Sequence, residues 1–238
     1  MEYKGLDLSY CQPYNTDFKA LKAAGYSFVI LRAAYGNTKL YPRQKDSNFD
    51  TFYNAASEAG LDVGAYLYSY AKDKAEAIEE AEGLINILAG KRFAYPIYLD
   101  IEEKSVLESG KAGEIVEGFC TTLEKAGYYS GVYCSTWWSK HSFTPETLRR
   151  FSWWVADWTG NKPDIIFDIW QTGKKKINGA YYDTDIAYTD FKAIMQRLGC
   201  NGFPKQSADD TSLKLNIQKL LATVKADFEA LMREVDKL

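Results

Sequence analysis

Histidine is almost missing from this chain: His141 is the only one in 238 residues. Sites that need two histidines, the HExxH zinc motif among them, are excluded. Serine and cysteine nucleophiles lose their usual base partner, because His141 reads as part of a polar loop, Ser-Lys-His-Ser. Cys11, Cys120, Cys134 and Cys200 are far apart and form no CxxC pair, which argues against structural zinc and thioredoxin chemistry. They read as free thiols of a reducing compartment, although two bridges remain open. No Walker loop and no GxSxG elbow is present. No metal and no cofactor is expected. A run of about 18 apolar residues, the length a membrane span needs, is also lacking, so no membrane insertion is expected. No apolar stretch follows Met1-Glu2-Tyr3-Lys4-Gly5, so the expectation is synthesis in the cytoplasm without a signal peptide. Formal net charge is −3 and long basic runs are missing, which makes nucleic acid an unsuitable partner. The one small cluster, Lys174-Lys175-Lys176, reads first as a solvated loop and second as a weak attractor for an anionic polymer such as a bacterial wall.

Aromatics, by contrast, are plentiful: eighteen Tyr, twelve Phe and six Trp. Rings this dense either fill a core or line a carbohydrate cleft, where the apolar face of a sugar stacks on them. The length suits one large domain with a single core, plus a small appendage.

Strand-like and helix-like segments alternate through the first two thirds. Strands are predicted at 3–8, 26–33, 63–68, 95–101 and 129–134. Helices are predicted at 17–24, 48–59, 72–88 and 113–125, with stops at Gly25, Gly60 and Gly127. A short helix over 145–150 then precedes three strands, 153–156, 165–171 and 183–187, with little helix between them. Repeated βα units imply a parallel sheet. Eight strands at this length predict a closed α/β barrel with its active site at the C-terminal strand ends. The barrel is assigned to residues 1–201, a polar linker to 202–210 and a helix to 211–238. In that helix Ile217, Leu221, Val224, Phe228, Leu231, Val235 and Leu238 alternate spacings of four and three. This heptad seam predicts docking on the barrel, a homo-oligomer, or another helical partner.

The sharpest chemical constellation is Tyr-Pro-Ile-Tyr-Leu-Asp100-Ile-Glu102-Glu103. An apolar strand runs into two carboxylates two residues apart, so both point the same way. Two carboxyl groups held close do not both ionise cheaply, and a carboxylic acid still protonated near neutral pH is what a glycosidic oxygen needs. Asp7 ends the first strand; Asp183 and Asp185 lie on the last, its neighbour in a closed barrel. Tyr66, Tyr68, Tyr133, Trp154, Trp158 and Trp170 with Gln171 gather at matching strand ends. Taken singly, each of these also reads as capping, solvation or packing.

In order along the chain, Lys4-Gly5-Leu6-Asp7-Leu8-Ser9, Phe28-Val29-Ile30-Leu31-Arg32-Ala33, Gly64-Ala65-Tyr66, Tyr98-Leu99-Asp100-Ile101-Glu102, Trp154-Val155-Ala156, Ile169-Trp170-Gln171 and the Asp183 segment resemble family 25 glycoside hydrolases. The resemblance covers about residues 3 to 197. It implies a flattened barrel of five βα units followed by three β-strands. It also implies an N-acetylmuramidase of the endolysin or autolysin kind, acting on bacterial peptidoglycan at the β-1,4 bond between N-acetylmuramic acid and N-acetylglucosamine. On that resemblance Glu102 is the general acid and Asp100 the second carboxylate, with Asp7 and Asp183 completing an acidic floor. Arg32, Asp185, Gln171 and the aromatics become substrate-binding candidates. The sequence departs from the family pattern at Leu67, where relatives often carry His, at Phe18, where Trp is common, and at Asp185, often Asn. Two other readings stay open: a catalytically silent wall-binding module, and a chitinase-like barrel.

Overall fold

The computed structural model describes residues 2–205. The proposed C-terminal helix, and the linker beyond 205, lie outside them. Eight strands close into a barrel in sequence order: β1 (Tyr3–Leu8), β2 (Phe28–Tyr35), β3 (Asp62–Tyr68), β4 (Ile97–Asp100), β5 (Ser130–Ser135), β6 (Ser152–Ala156), β7 (Ile169–Ile177) and β8 (Ala180–Ala187). Strands β1 to β7 run parallel to their sequence neighbours, whereas β8 is antiparallel to both β7 and β1. This reversal brings the first half of β8 to the C-terminal ends of the parallel strands, with Asp183 opposite Asp7 and Asp185 opposite Gly5.

Helices α1 (Phe18–Ala23), α2 (Phe49–Glu58), α3 (Lys74–Leu88) and α5 (Ala112–Lys125) form where the periodicity predicts. Asp17 and Asp73 cap two of them by accepting the N–H of Ala20 and Glu76; a side-chain oxygen there satisfies a donor that the first turn leaves orphaned. The helix at 145–150 is present as α7 (Pro145–Arg150), capped by Thr144. Three helices escape the sequence pattern: α4 (Lys104–Leu107), α6 (Thr136–Ser142) and α8 (Phe191–Leu198). The first two are too short to show a period, and α6 turns the supposed loop around His141 into helix.

The seventh strand differs from expectation. It begins at Ile169, not 165, and runs through Lys174-Lys175-Lys176 to Ile177, so the lysines are strand residues rather than a loop. An Asn178-Gly179 turn, with φ of 49° and 90°, returns the chain into β8. Those left-handed angles are what a tight two-residue hairpin requires.

Strand alternation divides the core in two. Leu6, Val29, Leu31, Val63, Leu67, Leu99, Val132 and Trp153 face the helices. Phe28, Ile30, Tyr66, Tyr98, Trp154 and Ile169 face inward, joined by Phe191 and Met195 of α8. Two glycines make room for the interior rings. A Cβ on Gly5 would lie 2.2 Å from Phe28, and one on Gly131 2.4 Å from Tyr98. The lower interior is thus an aromatic plug, and the polar residues are left at the C-terminal strand ends.

Candidate active site

Asp7, Arg32, Tyr66, Tyr68, Asp100, Tyr133 and Gln171 all occur at the C-terminal ends of parallel strands, on the inward parity of their strands. Strand β4 stops at Asp100, but its ladder continues for one residue through the Ile101 N–H, which donates to the Tyr133 carbonyl at 3.1 Å. Ile101 is buried in the outer core. Alternation therefore carries Glu102 to the same side as Asp100, at the solvent-facing mouth.

Gln171 is the hub of the floor. Its Nε2 donates to Asp7 Oδ2 at 2.9 Å, while its Oε1 accepts from the Tyr133 hydroxyl and the Trp158 indole N–H, both at 3.1 Å. Asp185, only 2 % exposed, accepts the Trp154 indole N–H at 2.8 Å on Oδ1. Its Oδ2 is buried without a donor, and the side chain makes a hydrogen-bonding contact with Asp7. Two carboxyl groups hydrogen-bond only if one keeps a proton. A protonated Asp185 donating to Asp7 accounts for both observations.

The electrostatics favour neutral acids. Burial first, then the charges of Glu102 and Asp7, holds Asp100 well above the ordinary carboxylate range, with Arg32 opposing. Burial followed by Asp183 raises Asp7, and burial followed by Asp7 raises Asp185. Glu102 is raised by the packing around it, then by Glu103 and Asp183. Burial raises Asp183, which Lys174 partly offsets. Asp100 is 5 % exposed and its Oδ1 has no protein partner. Such an orphaned buried oxygen is costly unless a ligand donor meets it.

A cavity of about 540 Å³ opens against Asp7, Tyr66, Lys174, Tyr181 and Asp183. Asp100 and Glu102 adjoin it rather than line it, coupled electrostatically to Asp7 and Asp183. A larger hollow of about 740 Å³, between Leu61, Lys91, Tyr128 and Phe203 at the other end of the barrel, contains none of these acids.

Several expected binding residues have other placements. Trp154 is buried inside the barrel, where it packs against Tyr66 and Tyr133 and holds Asp185; no ring face is open to a sugar. Trp170 alternates to the outer side of β7, away from Gln171, and its N–H donates to the Asp157 carbonyl at 2.8 Å. Arg32 is engaged by Asp46, Nε to Oδ2 at 2.9 Å, and lies over the Tyr10 and Tyr35 rings. Trp158 is exposed at the mouth.

Sequence reasoning missed Glu103, whose carboxylate accepts the Tyr68 hydroxyl at 2.8 Å. It also missed Tyr181, which is exposed beside Lys174. The third acid in the Asp-Ile-Glu-Glu run was the available signal for Glu103, and the Asn-Gly hairpin was the one for Tyr181.

The sequence model described as Glycosyl hydrolases family 25 matches residues 6–180. An autolytic lysozyme of Clostridium acetobutylicum is 29% identical over 162 residues, 68% of this chain and 47% of the relative. The chain thus spans about half the length of the curated relative it matches. Among solved structures, the muramidase of Acremonium alcalophilum is similar at TM-score 0.65 and 25% identity, over 84% of this chain and 99% of that one. The CTP1L endolysin shares the fold at TM-score 0.71 and 23% identity, over 83% of this chain and 69% of that one.

Proposed function

The chain belongs to glycosyl hydrolases family 25, and from that membership we propose that it hydrolyses the β-1,4 bond between N-acetylmuramic acid and N-acetylglucosamine in bacterial peptidoglycan. The observation that carries the reading is the partnerless Asp100 Oδ1, buried beside Glu102 at the mouth of the barrel.

Glu102 is the general acid. At the mouth it is open to water, and a sugar that covers it strips that water and raises its proton affinity further. It gives its proton to the glycosidic oxygen as the bond to C1 breaks. Asp100 accepts the N–H of the 2-acetamido group, whose carbonyl oxygen closes on C1 from the opposite face. Glu102, now a carboxylate, takes a proton from the water that reopens this ring, so the first product is the β-anomer. Gln171 and Asp185 hold Asp7 in place on the floor. The site of action is the bacterial wall; among the described residues no helix is long and apolar enough to cross a membrane.

Mass spectrometry of digested peptidoglycan tests the proposal. Muramic acid at the new reducing ends is expected. N-acetylglucosamine ends would establish the chitinase-like specificity instead, and no release at all would leave a wall-binding module. Glu102→Gln is expected to lower turnover about 10²- to 10⁴-fold with the fold intact, the usual worth of a positioned acid.

A further inference from the structure

Beyond Gln171, β7 has no further partner in β6, and β8 pairs with β1 only as far as Asp183. Residues 174–177 and 180–183 therefore project past the barrel rim as a two-stranded ribbon closed by Asn178-Gly179. Cross-strand register sorts its side chains. Lys175 pairs with Tyr182 and Ile177 with Ala180; Tyr182 is buried in the outer core, and Ile177 and Ala180 pack against that core. The other face carries Lys174 paired with Asp183 and Lys176 paired with Tyr181. That face turns to the cleft, because Lys174, Tyr181 and Asp183 line the cavity that holds Asp7.

Charge and aromaticity are organised on it. The Lys174 ammonium lies 5.9 Å from the ring centres of both Trp158 and Tyr181, and Lys176 lies 5.7 Å from Tyr181. The two rings are 54% and 57% exposed. Among the described residues none of the three lysines forms an ion pair. Opposite them is a floor made of acids. A glycan without charge has no use for a cationic wall, while one that carries carboxylates is drawn to it.

We propose that the β7–β8 ribbon is a substrate subsite for the carboxylate groups on the peptide side chains of the glycan, with Lys174 and Lys176 as the ionic contacts and Trp158 and Tyr181 as the stacking surface. This rests on the muramidase reading and adds the feature of the substrate that the acids themselves do not read.

The test uses the full chain and purified wall glycan from which phosphodiester polymers have been removed, either native or with its carboxyl groups capped as amides. Exposed charge pairs each contribute a factor of roughly two to five. The double variant Lys174→Gln/Lys176→Gln is therefore expected to raise KM about fivefold on native glycan, with kcat little changed. Amidation should raise the wild-type KM by a similar factor and leave the double variant where it is. Lys175→Gln, on the packed face of the ribbon, should behave as wild type. The proposal is overturned if Lys175→Gln reproduces the loss, which would mean long-range attraction. It is also overturned if amidation penalises the double variant as much as wild type, or if the lysine effect appears only on walls that keep their phosphodiester polymers. Failure of the muramidase reading looks different: wild type would then release no muramic acid reducing ends.

Discussion

Asp185→Asn should stabilise this protein at neutral pH, and the gain should grow with pH in a way that reports the proton shared with Asp7. Asp185 is raised well above its usual 3.8 by burial and by Asp7. A raised carboxylic acid contributes its full stability below the unfolded value of 3.8 and loses it as pH climbs through the folded value. If the folded pair holds one more proton than the unfolded chain between pH 5 and 7, stability falls by about 1.4 kcal/mol per unit, or about 2.7 kcal/mol over that window. Asparagine has the donor built in: Nδ2–H faces Asp7 while Oδ1 still accepts the Trp154 indole N–H. The variant therefore escapes that part of the pH dependence. For a domain of this size the difference corresponds to roughly 5–10 °C in Tm. Thermal unfolding of both proteins at pH 5, 6 and 7 gives the difference curve. Asp185→Ala is the counterpart, because it strands the Trp154 N–H in the barrel and should cost about 1–3 kcal/mol relative to Asp185→Asn at every pH. A wild-type-minus-Asn difference that stays flat from pH 5 to 7 would refute the shared proton.

Three further outcomes follow from the same geometry. If Asp100 balances the charge that develops on the acetamido group, Asp100→Asn, which keeps one acceptor oxygen but cannot carry that charge, should lower kcat by about a hundredfold or more; NMR of the first-formed product should show the β-anomer for wild type, and an α-anomer would end the assisted mechanism. Glu103→Gln takes away the strongest of the charges raising Glu102 and should shift the alkaline limb of kcat/KM to lower pH; Tyr68→Phe, which frees Glu103 without removing its charge, should not move that limb downward, and a limb fixed in both variants would make Glu103 merely structural. The heptad spacing in residues 211–238 predicts docking on the barrel or association with another helix or chain, and sedimentation velocity of the full chain against one ending at Asp210 separates them; two monomers across the micromolar range would end self-association in favour of docking.

The barrel could be read from the sequence because its strands obey a strict period: buried apolar runs such as Phe-Val-Ile-Leu alternate with helices, three of which stop at Gly25, Gly60 and Gly127. The acids could be read for the same reason, since period two and a closed sheet bring Asp7, Asp100 and Asp183 to one end. Direction and depth were harder to see. Nothing in Asp183-Thr-Asp185 announces an antiparallel strand, and it is that reversal which sets Asp183 level with Asp7. The Trp-Trp pair at 153–154 shows no preference for either face, so its inward ring looked like a sugar platform when it is a support for Asp185. The lysine run was obscured by composition: three cations in a row suggest solvent, and only the Asn-Gly turn between them and Tyr181 betrays a ribbon.

Arg32 explains why so many acids can stay protonated together. A guanidinium free to face them would hold Asp100 ionised, since opposite charge favours the charged form. Asp46 prevents this. It is 3% exposed, it takes the Arg32 Nε, and it also accepts the Tyr10 backbone N–H, while the Tyr10 and Tyr35 rings cover the guanidinium. Most of the positive charge is thus consumed locally, and its opposition at Asp100 ranks below burial and below the repulsion from Glu102 and Asp7. Among the described residues the only cation lining the cavity is Lys174, and its effect falls on Asp183. The cleft therefore grades from neutral acids at the buried floor to a screened carboxylate at the rim and cations on the ribbon. The proposed proton donor, amide N–H acceptor and carboxylate anchor each need a different one of those environments; β4 and the residues after it supply Asp100 and Glu102, and the reversal of β8 adds Asp183 and the lysine ribbon at the same mouth.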